Sequence, residues 1–434
     1  MPTVPPDSST ASLVQALGLG LIAARWLGEA ALEFLNHRHV QRHADRVPEA
    51  FAGTVDAPTY ARSIQYTLAK SRFNQVATAI STLILLLVLL AQWLPWAYTS
   101  FTSHWGTSPA ASAAFLVLIG IAFGLLDLPV DWYAQFRLEE RFGFNTTTAG
   151  TWWLDRLKGT LLTVVLGYPL LLLVLKIVGW AGDAWWLWAW GVIVGFQFLL
   201  TLLAPVLILP LFNKFTPLPD GPLKERLLAL AQRTRFQARS LQVMDGSKRS
   251  RHSNAFFTGF GRFRKIVLFD TLIQQLDPAE LEAVLAHEIG HFRKKHVPKM
   301  LVGSTLMLLA GLFTVAWLAR QPWFFAAFGF PAADPAIALL LFTLLSGSVT
   351  FWFSPLLNLN SRRFEYQADA FAAEVMGEPR SLIGALRRLN TQNLSNLVPH
   401  PLYSGFHYSH PTLLERETAV LRAFPTISVT APAG

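Results

Sequence analysis

The sequence predicts a mainly α-helical integral membrane protein that carries a small α+β domain on one side of the bilayer. Of its 434 residues, 52% are hydrophobic and only 15% are charged, whereas soluble chains carry about a quarter charged residues. Seven segments are long and apolar enough to cross a bilayer, which takes about 20 apolar residues in a helix. Basic residues alternate between the loops that join these segments. So apolar a composition also excludes a disordered chain.

Six of the predicted spans are strongly apolar and the first is weaker. The six cover residues 76–98, 111–130, 160–179, 184–211, 300–318 and 336–357. The weaker segment, 11–35, contains Arg25, Glu29 and Glu33. Neither a basic region ahead of it nor a cleavage site is evident, so we expect a retained span rather than a signal peptide.

The basic residues follow the positive-inside rule. Of the 36 Lys and Arg residues, 33 lie on one side of the predicted spans and one lies on the other. The richer side is expected to face inward, which places the amino terminus outside and the carboxyl terminus inside. The net charge of +9 is therefore attributed to inner membrane loops, and no nucleic-acid partner is expected.

This topology divides the chain into four parts. Residues 1–211 hold five spans with their loops, 212–299 form a domain on the inner side, 300–357 hold spans six and seven, and 358–434 form a carboxyl-terminal segment. Within the inner domain, patterns predict a Pro-rich turn at 217–222, a helix at 223–232 and β-like runs at 241–244, 254–257 and 266–269;.

The inner domain contains a metal-binding motif. The sequence HEIGH at 287–291 follows an Asp-Pro pair at 277–278, a favourable helix start. Residues four apart share one helix face, so His287 and His291 can bind one metal ion. Glu288 is turned about 100° away and can accept a proton from an attacking water. The alternative is a helix with two incidental histidines.

A catalytic zinc site needs a third protein ligand and an open position. Because the chain has no cysteine, the third ligand must be His, Asp or Glu. Glu365 follows the last predicted span on the same side of the membrane as the HEIGH helix. Asp369 lies four residues further and can hydrogen-bond a ligand histidine. The alternative is a solvated charge cluster beside the membrane.

These motifs resemble the type I CAAX prenyl proteases of the M48 family of membrane zinc metallopeptidases. Besides HEIGH, the resemblance rests on NLNSRRFEYQAD at 358–369, HSNAFFTG at 252–259, HYSHP at 407–411 and EERFGFN at 139–145. It covers nearly the whole chain. It implies seven transmembrane helices around a water-filled chamber, with a gluzincin-type metallopeptidase domain at the inner end.

The resemblance also implies a role for each matching residue. One Zn²⁺ ion per chain would be held by His287, His291 and Glu365. Glu288 would be the general base, His410 would donate to the tetrahedral oxyanion, and Asp369 would support a ligand histidine. The substrate-binding residues would be Asn254, Ala255, Phe256 and Arg416, with contact to the metal-site carboxylates as the alternative for Arg416. His296 is expected near a helix end rather than on the metal.

The expected function is a membrane-embedded zinc endopeptidase that cleaves C-terminal, CAAX-type prenylated peptides or membrane-associated peptides. The alternatives are a quality-control protease for membrane proteins, a soluble-type peptidase merely anchored by its spans, and an inactive polytopic transporter or scaffold. Its richness in Ala, Leu, Arg and Trp favours a bacterial inner membrane with the catalytic domain on the cytoplasmic side. In a eukaryote the endoplasmic reticulum is expected.

Overall fold

The structure is a computed structural model that describes residues 8–236, 240–258 and 265–424. Its α-helices are α1 (Ser8–Arg42), α2 (Ala57–Leu90), α3 (Trp93–Trp105), α4 (Pro109–Tyr133), α5 (Ala149–Leu162), α6 (Tyr168–Trp180), α7 (Trp185–Leu203), α8 (Leu209–Phe212), α9 (Pro222–Arg233), α10 (Asp270–Gln275), α11 (Pro278–Arg293), α12 (His296–Leu318), α13 (Pro322–Ala326), α14 (Pro335–Thr350), α15 (Ser354–Met376), α16 (Arg380–Gln392), α17 (Pro401–His407) and α18 (Leu413–Ala423). Its strands are β1 (Phe215–Pro217), β2 (Ser240–Met244), β3 (Ala255–Thr258) and β4 (Lys265–Phe269). The predicted fold class, mainly helical with a small sheet, is confirmed.

Seven helical stretches among the described residues can cross a membrane, as predicted, and the weak first span is one of them. They are Ser9–Arg42, Ala57–Leu90, Pro109–Glu139, Ala149–Trp180, Gly182–Phe212, His296–Leu318 and Pro335–Met376. Each span contacts the next one in the order two, one, seven, six, five, four, three. The end of span three contacts α2, which belongs to span two. In six of the spans, no more than 17% of the residues in an apolar stretch of 18 residues are buried within the protein. The spans therefore form a ring, which is closed at one end where α14 also contacts α4 and α6.

The second span differs from its prediction. The apolar run 76–98 was expected to be one helix, but α2 ends at Leu90 and α3 starts at Trp93. Gln92 between them has a φ of 58°, in the left-handed region. Pro95 explains the break, because in a continuous helix its ring would clash with the carbonyl of Ala91 four residues earlier.

The charged residues of the first span face an internal cavity of about 440 Å³. Arg25 and Glu29 form an ion pair with 3.0 Å between Nε and Oε1. Glu33 is buried and accepts hydrogen bonds from Ser71 Oγ at 2.7 Å and from the Tyr403 hydroxyl at 2.9 Å. Ionisable groups within a membrane span face a bundle interior and find partners there, which explains why this span reads as weakly apolar.

The sheet has the strand order β1-β2-β4-β3. β2 and β4 are parallel, and the two outer pairs are antiparallel. The three predicted β-like runs are strands, and the predicted turn at 217–222 is the connection between β1 and α9, with Pro217 as the last residue of β1. Proline is tolerated there because β1 is an edge strand, where a missing N–H can face away from the sheet. β3 forms the opposite edge.

Helices α11 and α15 pack against each other below the ring. The seventh span continues from Pro335 to Met376, so the predicted boundary at residue 358 falls within α15. Helix α14 thus leads directly into α15, which carries Glu365 toward α11. The core beside these helices is made of buried leucines such as Leu227, Leu268 and Leu285.

Candidate metal centre

A capping box fixes the start of α11. Asp277 Oδ1 accepts hydrogen bonds from the backbone N–H groups of Ala279 and Glu280, both at 2.9 Å. In return, Glu280 Oε2 accepts from the Asp277 N–H at 3.1 Å. This box satisfies orphan donors of the first turn. The box thereby fixes the residue at which α11 starts. His287 and His291 lie on the face of this helix that packs against α15.

Three predicted ligands converge between α11 and α15. The Nε2 atoms of His287 and His291 are 3.1 Å apart. Glu365 Oε1 lies 3.3 Å from His291 Nε2, and Glu365 Oε2 lies 3.5 Å from His287 Nε2. One ligand atom from each residue lies within 4.8 Å of the others, and no second such group of three occurs in the described parts of the chain.

The donor chemistry of this cluster fits a metal ion. Glu365 is 4% exposed, and its Oε2 atom has no hydrogen-bond partner within the described parts of the chain. A buried carboxylate oxygen without a partner is costly, and a cation shared with the two imidazoles removes that cost. Two imidazole nitrogens and one carboxylate are also the donor set of known catalytic zinc sites.

Asp369 and Arg416 form the layer behind the ligands. Asp369 Oδ1 lies 2.8 Å from His287 Nδ1, which leaves Nε2 to face the metal position. Arg416 donates from Nε to Asp369 Oδ2 at 2.8 Å and from Nη2 to Oδ1 at 2.6 Å. Two roles were predicted for Arg416, substrate binding and contact with the metal-site carboxylates. The geometry corresponds to the second role, because Nε and Nη2 of Arg416 both donate to Asp369.

His296 supports the other ligand histidine. As expected, it lies at a helix end, where it is the first residue of α12. Its Nδ1 lies 3.0 Å from His291 Nδ1, and its Nε2 lies 3.0 Å from Gln367 Oε1. The sequence did not predict this contact, because a five-residue spacing does not share a helix face. The chain turns at Lys295, where φ is 56°, and this turn brings the two imidazoles together.

Glu288 and His410 lie next to the metal-ligand residues, and they differ in exposure. Burial raises the pKa of Glu288 above its ordinary value, because desolvation disfavours the charged carboxylate;. The His410 side chain is 65% exposed, and its Nε2 lies 3.5 Å from Glu365 Oε1. The structure thus brings both predicted catalytic residues to the ligand set, with His410 facing open space.

The predicted substrate segment includes an edge strand beside α11. Among the described residues, β3 pairs with β4 alone, with Ala255 opposite Leu268. Phe256 follows in this strand, and β3 contacts α11. Asn254 precedes the strand, and its carbonyl accepts a hydrogen bond from the Phe269 N–H at 3.1 Å. Gly259, the last residue of the motif, lies outside the described residues.

The motif EERFGFN at 139–145 holds the residue that leads into this strand. His252 stacks on Phe144, with ring centroids 4.2 Å apart and an interplanar angle of 18°. Its Nε2 lies 3.3 Å from Glu139 Oε2, and its Nδ1 lies 3.0 Å from Asn393 Oδ1. The sequence offered no role for this motif. It connects the end of the third span to the sheet edge.

An HExxH helix that meets a glutamate from a second helix is the arrangement of gluzincin-type peptidases, and here both helices adjoin membrane spans;. The fold and the site therefore define an integral-membrane metallopeptidase. Residues 36–214 match the CAAX prenyl protease N-terminal domain with five membrane helices, and residues 217–423 match Peptidase family M48. The chain belongs to the CAAX prenyl proteases of this family.

Individual relatives are similar to this chain over almost its full length. CAAX prenyl protease 1 of Saccharomyces cerevisiae is 37% identical over 421 residues, which cover 89% of this chain and 91% of that protein. The CAAX prenyl protease 1 homolog of Oryza sativa subsp. japonica is 35% identical over 404 residues, covering 91% and 94%. The crystal structure of S. mikatae Ste24p superposes with a TM-score of 0.88 at 34% identity, covering 96% of this chain and 100% of that one. The predicted family and enzyme class are confirmed.

Proposed function

We propose that this metallopeptidase uses one Zn²⁺ ion held by His287, His291 and Glu365 to cleave C-terminal, CAAX-type prenylated peptides or other membrane-associated peptides. The observation that carries this proposal is the convergence of ligand atoms from His287, His291 and Glu365 between two helices. Zinc is favoured because three protein ligands without thiolate leave an open position for catalysis.

The side chains around the ligands supply the remaining chemistry. A bound zinc ion supplies Lewis acidity toward water and toward the scissile carbonyl. Glu288 accepts the proton of the attacking water and later delivers it to the leaving amine. His410 donates a hydrogen bond to the oxyanion that develops on the carbonyl oxygen. Asp369, held by Arg416, keeps His287 in the tautomer that directs Nε2 to the metal.

The substrate is proposed to bind as an added strand. The free edge of β3 offers backbone groups to an extended peptide, with Asn254, Ala255 and Phe256 along it. This edge lies next to α11, so the peptide passes the metal ligands. The names of the relatives support a CAAX-type prenylated substrate, and the membrane ring supports a lipid-bearing one.

The inner-side placement of the site follows from the charge distribution. We propose that segments 212–299 and 358–434 together form the catalytic unit, on the side where 33 of the 36 basic residues lie;. In a bacterium this is the cytoplasmic side of the inner membrane, and in a eukaryote that of the endoplasmic reticulum. No nucleic acid is proposed as a partner.

The central test compares the protein with its Glu288→Gln variant in detergent or nanodiscs. Metal analysis should find about one zinc per chain in both, while the variant should lose nearly all cleavage of a farnesylated CAAX peptide. A variant with full activity would refute the mechanism. An unprenylated copy of the same peptide separates the substrate classes: equal kcat/KM for both would refute the preference for a prenylated tail and favour a quality-control protease.

A further inference from the structure

Four polar residues form a stripe along α15. Asn358, Arg362, Glu365 and Asp369 are spaced by four, three and four residues, so they lie on one helical face. Glu365 and Asp369 at one end of the stripe serve the metal site. The other two residues have no part in the metal site, yet they belong to the same sequence motif.

Asn358 and Arg362 bind the backbone of the segment that ends α17. Asn358 Nδ2 donates to the carbonyl of Phe406 at 2.6 Å. Arg362 Nη1 donates to the carbonyl of Tyr408 at 2.7 Å and to that of Gly405 at 3.2 Å. Carbonyls at a helix end lack intrahelical partners, so these donors supply the missing hydrogen bonds. Tyr408 precedes His410 by two residues.

The segment between α17 and α18 is anchored on α15 at both ends. Arg362 holds its beginning, and Arg416 of α18 reaches back from its far end to Asp369. Within the segment, His410 has a local contact from Ser409 Oγ to its Nδ1 at 3.0 Å and remains 65% exposed. Because most of this side chain is exposed, its position depends on the backbone around it.

We propose that Arg362, assisted by Asn358, is a positioning residue that places His410 against the metal site. The inference rests on the proposed role of His410 as oxyanion donor. Because Arg362 and Glu365 lie one turn apart on one helix, His410 and the third metal ligand share the same rigid support. A donor that is misplaced by about 1 Å can cost about 100-fold in rate.

The test measures kcat, KM and zinc content for Arg362→Ala, His410→Ala and the double variant. Arg362→Ala should lower kcat about 10- to 100-fold, with KM changed less than about threefold and about one zinc retained. If Arg362 acts through His410, the double variant should have the kcat of His410→Ala alone. Arg363→Ala is the matched control, since Arg363 is the exposed neighbour and should keep full activity.

Several results would overturn the proposal. A double variant in which the two losses multiply would show that Arg362 acts independently of His410. An equal loss in Arg363→Ala would show a general charge effect. If Arg362→Ala misfolds, Asn358→Ala removes one of the three hydrogen bonds and should lower kcat without zinc loss; an unchanged kcat there would refute the inference. If His410→Ala keeps full kcat while Glu288→Gln is inactive, the role of His410 fails and the zinc mechanism stands.

Discussion

Gly290 of the HEIGH motif is predicted to be required for the close approach of α11 to α15. A Cβ at this position would lie 3.0 Å from Ala368 Cα, 3.1 Å from Ala368 O and 3.2 Å from Phe371 Cδ1. Ordinary contacts between carbon atoms are about 3.5–4.0 Å. Ala368 is fully buried and its contacting atoms belong to the backbone, so no rotamer change can relieve the clash. Gly290→Ala must therefore push the helices apart by about 0.5 Å.

The cost of this separation can be estimated. Overpacking costs about 1–3 kcal/mol, and the better helix propensity of alanine returns up to about 1 kcal/mol. A net strain of about 1–2 kcal/mol at the ligand set corresponds to a metal affinity about 5- to 30-fold weaker, since 1.4 kcal/mol is a factor of ten. The affected ligands are His291 on one helix and Glu365 on the other, whose distances tolerate only about 0.2 Å.

Competition with a zinc chelator, followed by cleavage activity and thermal unfolding of the zinc-loaded enzyme, measures this effect. Gly303→Ala in α12 is the control, because its Cβ would have no neighbour within 4 Å, and it should leave affinity unchanged. An unchanged zinc affinity and unfolding temperature in Gly290→Ala would refute the argument from close helix packing.

Three further predictions test the parts around the ligands. Asp369→Asn should weaken zinc binding about 10- to 100-fold in the same chelator assay, and unchanged affinity would contradict the role of Asp369 behind His287. Glu139→Gln should raise KM several-fold at constant kcat and zinc content, because a neutral amide binds His252 more weakly than a carboxylate does, next to the substrate strand;. Glu140→Gln, at the exposed neighbour of Glu139, should behave as wild type. Free zinc at 100 times its dissociation constant should stabilise the metal-free enzyme by about 2.7 kcal/mol, and a zinc-independent unfolding curve would contradict a site in the folded state.

Much of the fold could be predicted from local sequence. Hydropathy identified the seven spans, because a segment can cross the bilayer when its own length and apolar content are sufficient. Helical spacing identified HEIGH and the pair Glu365 and Asp369. Two features were missed. The break in the second span at Gln92 follows from Pro95, and the strand β1 was not predicted because it ends at Pro217, which only an edge strand tolerates.

The sequence by itself determined the number of membrane spans, the family and the residue types of the candidate metal site, because these depend on composition and on spacing within single segments. The tertiary structure alone decided which side chains support the ligands. Arg416 lies 47 residues from Asp369, Glu139 lies 113 residues from His252, and His296 reaches His291 only through a turn between two helices. Such contacts depend on how separate elements pack, and no local pattern encodes that packing.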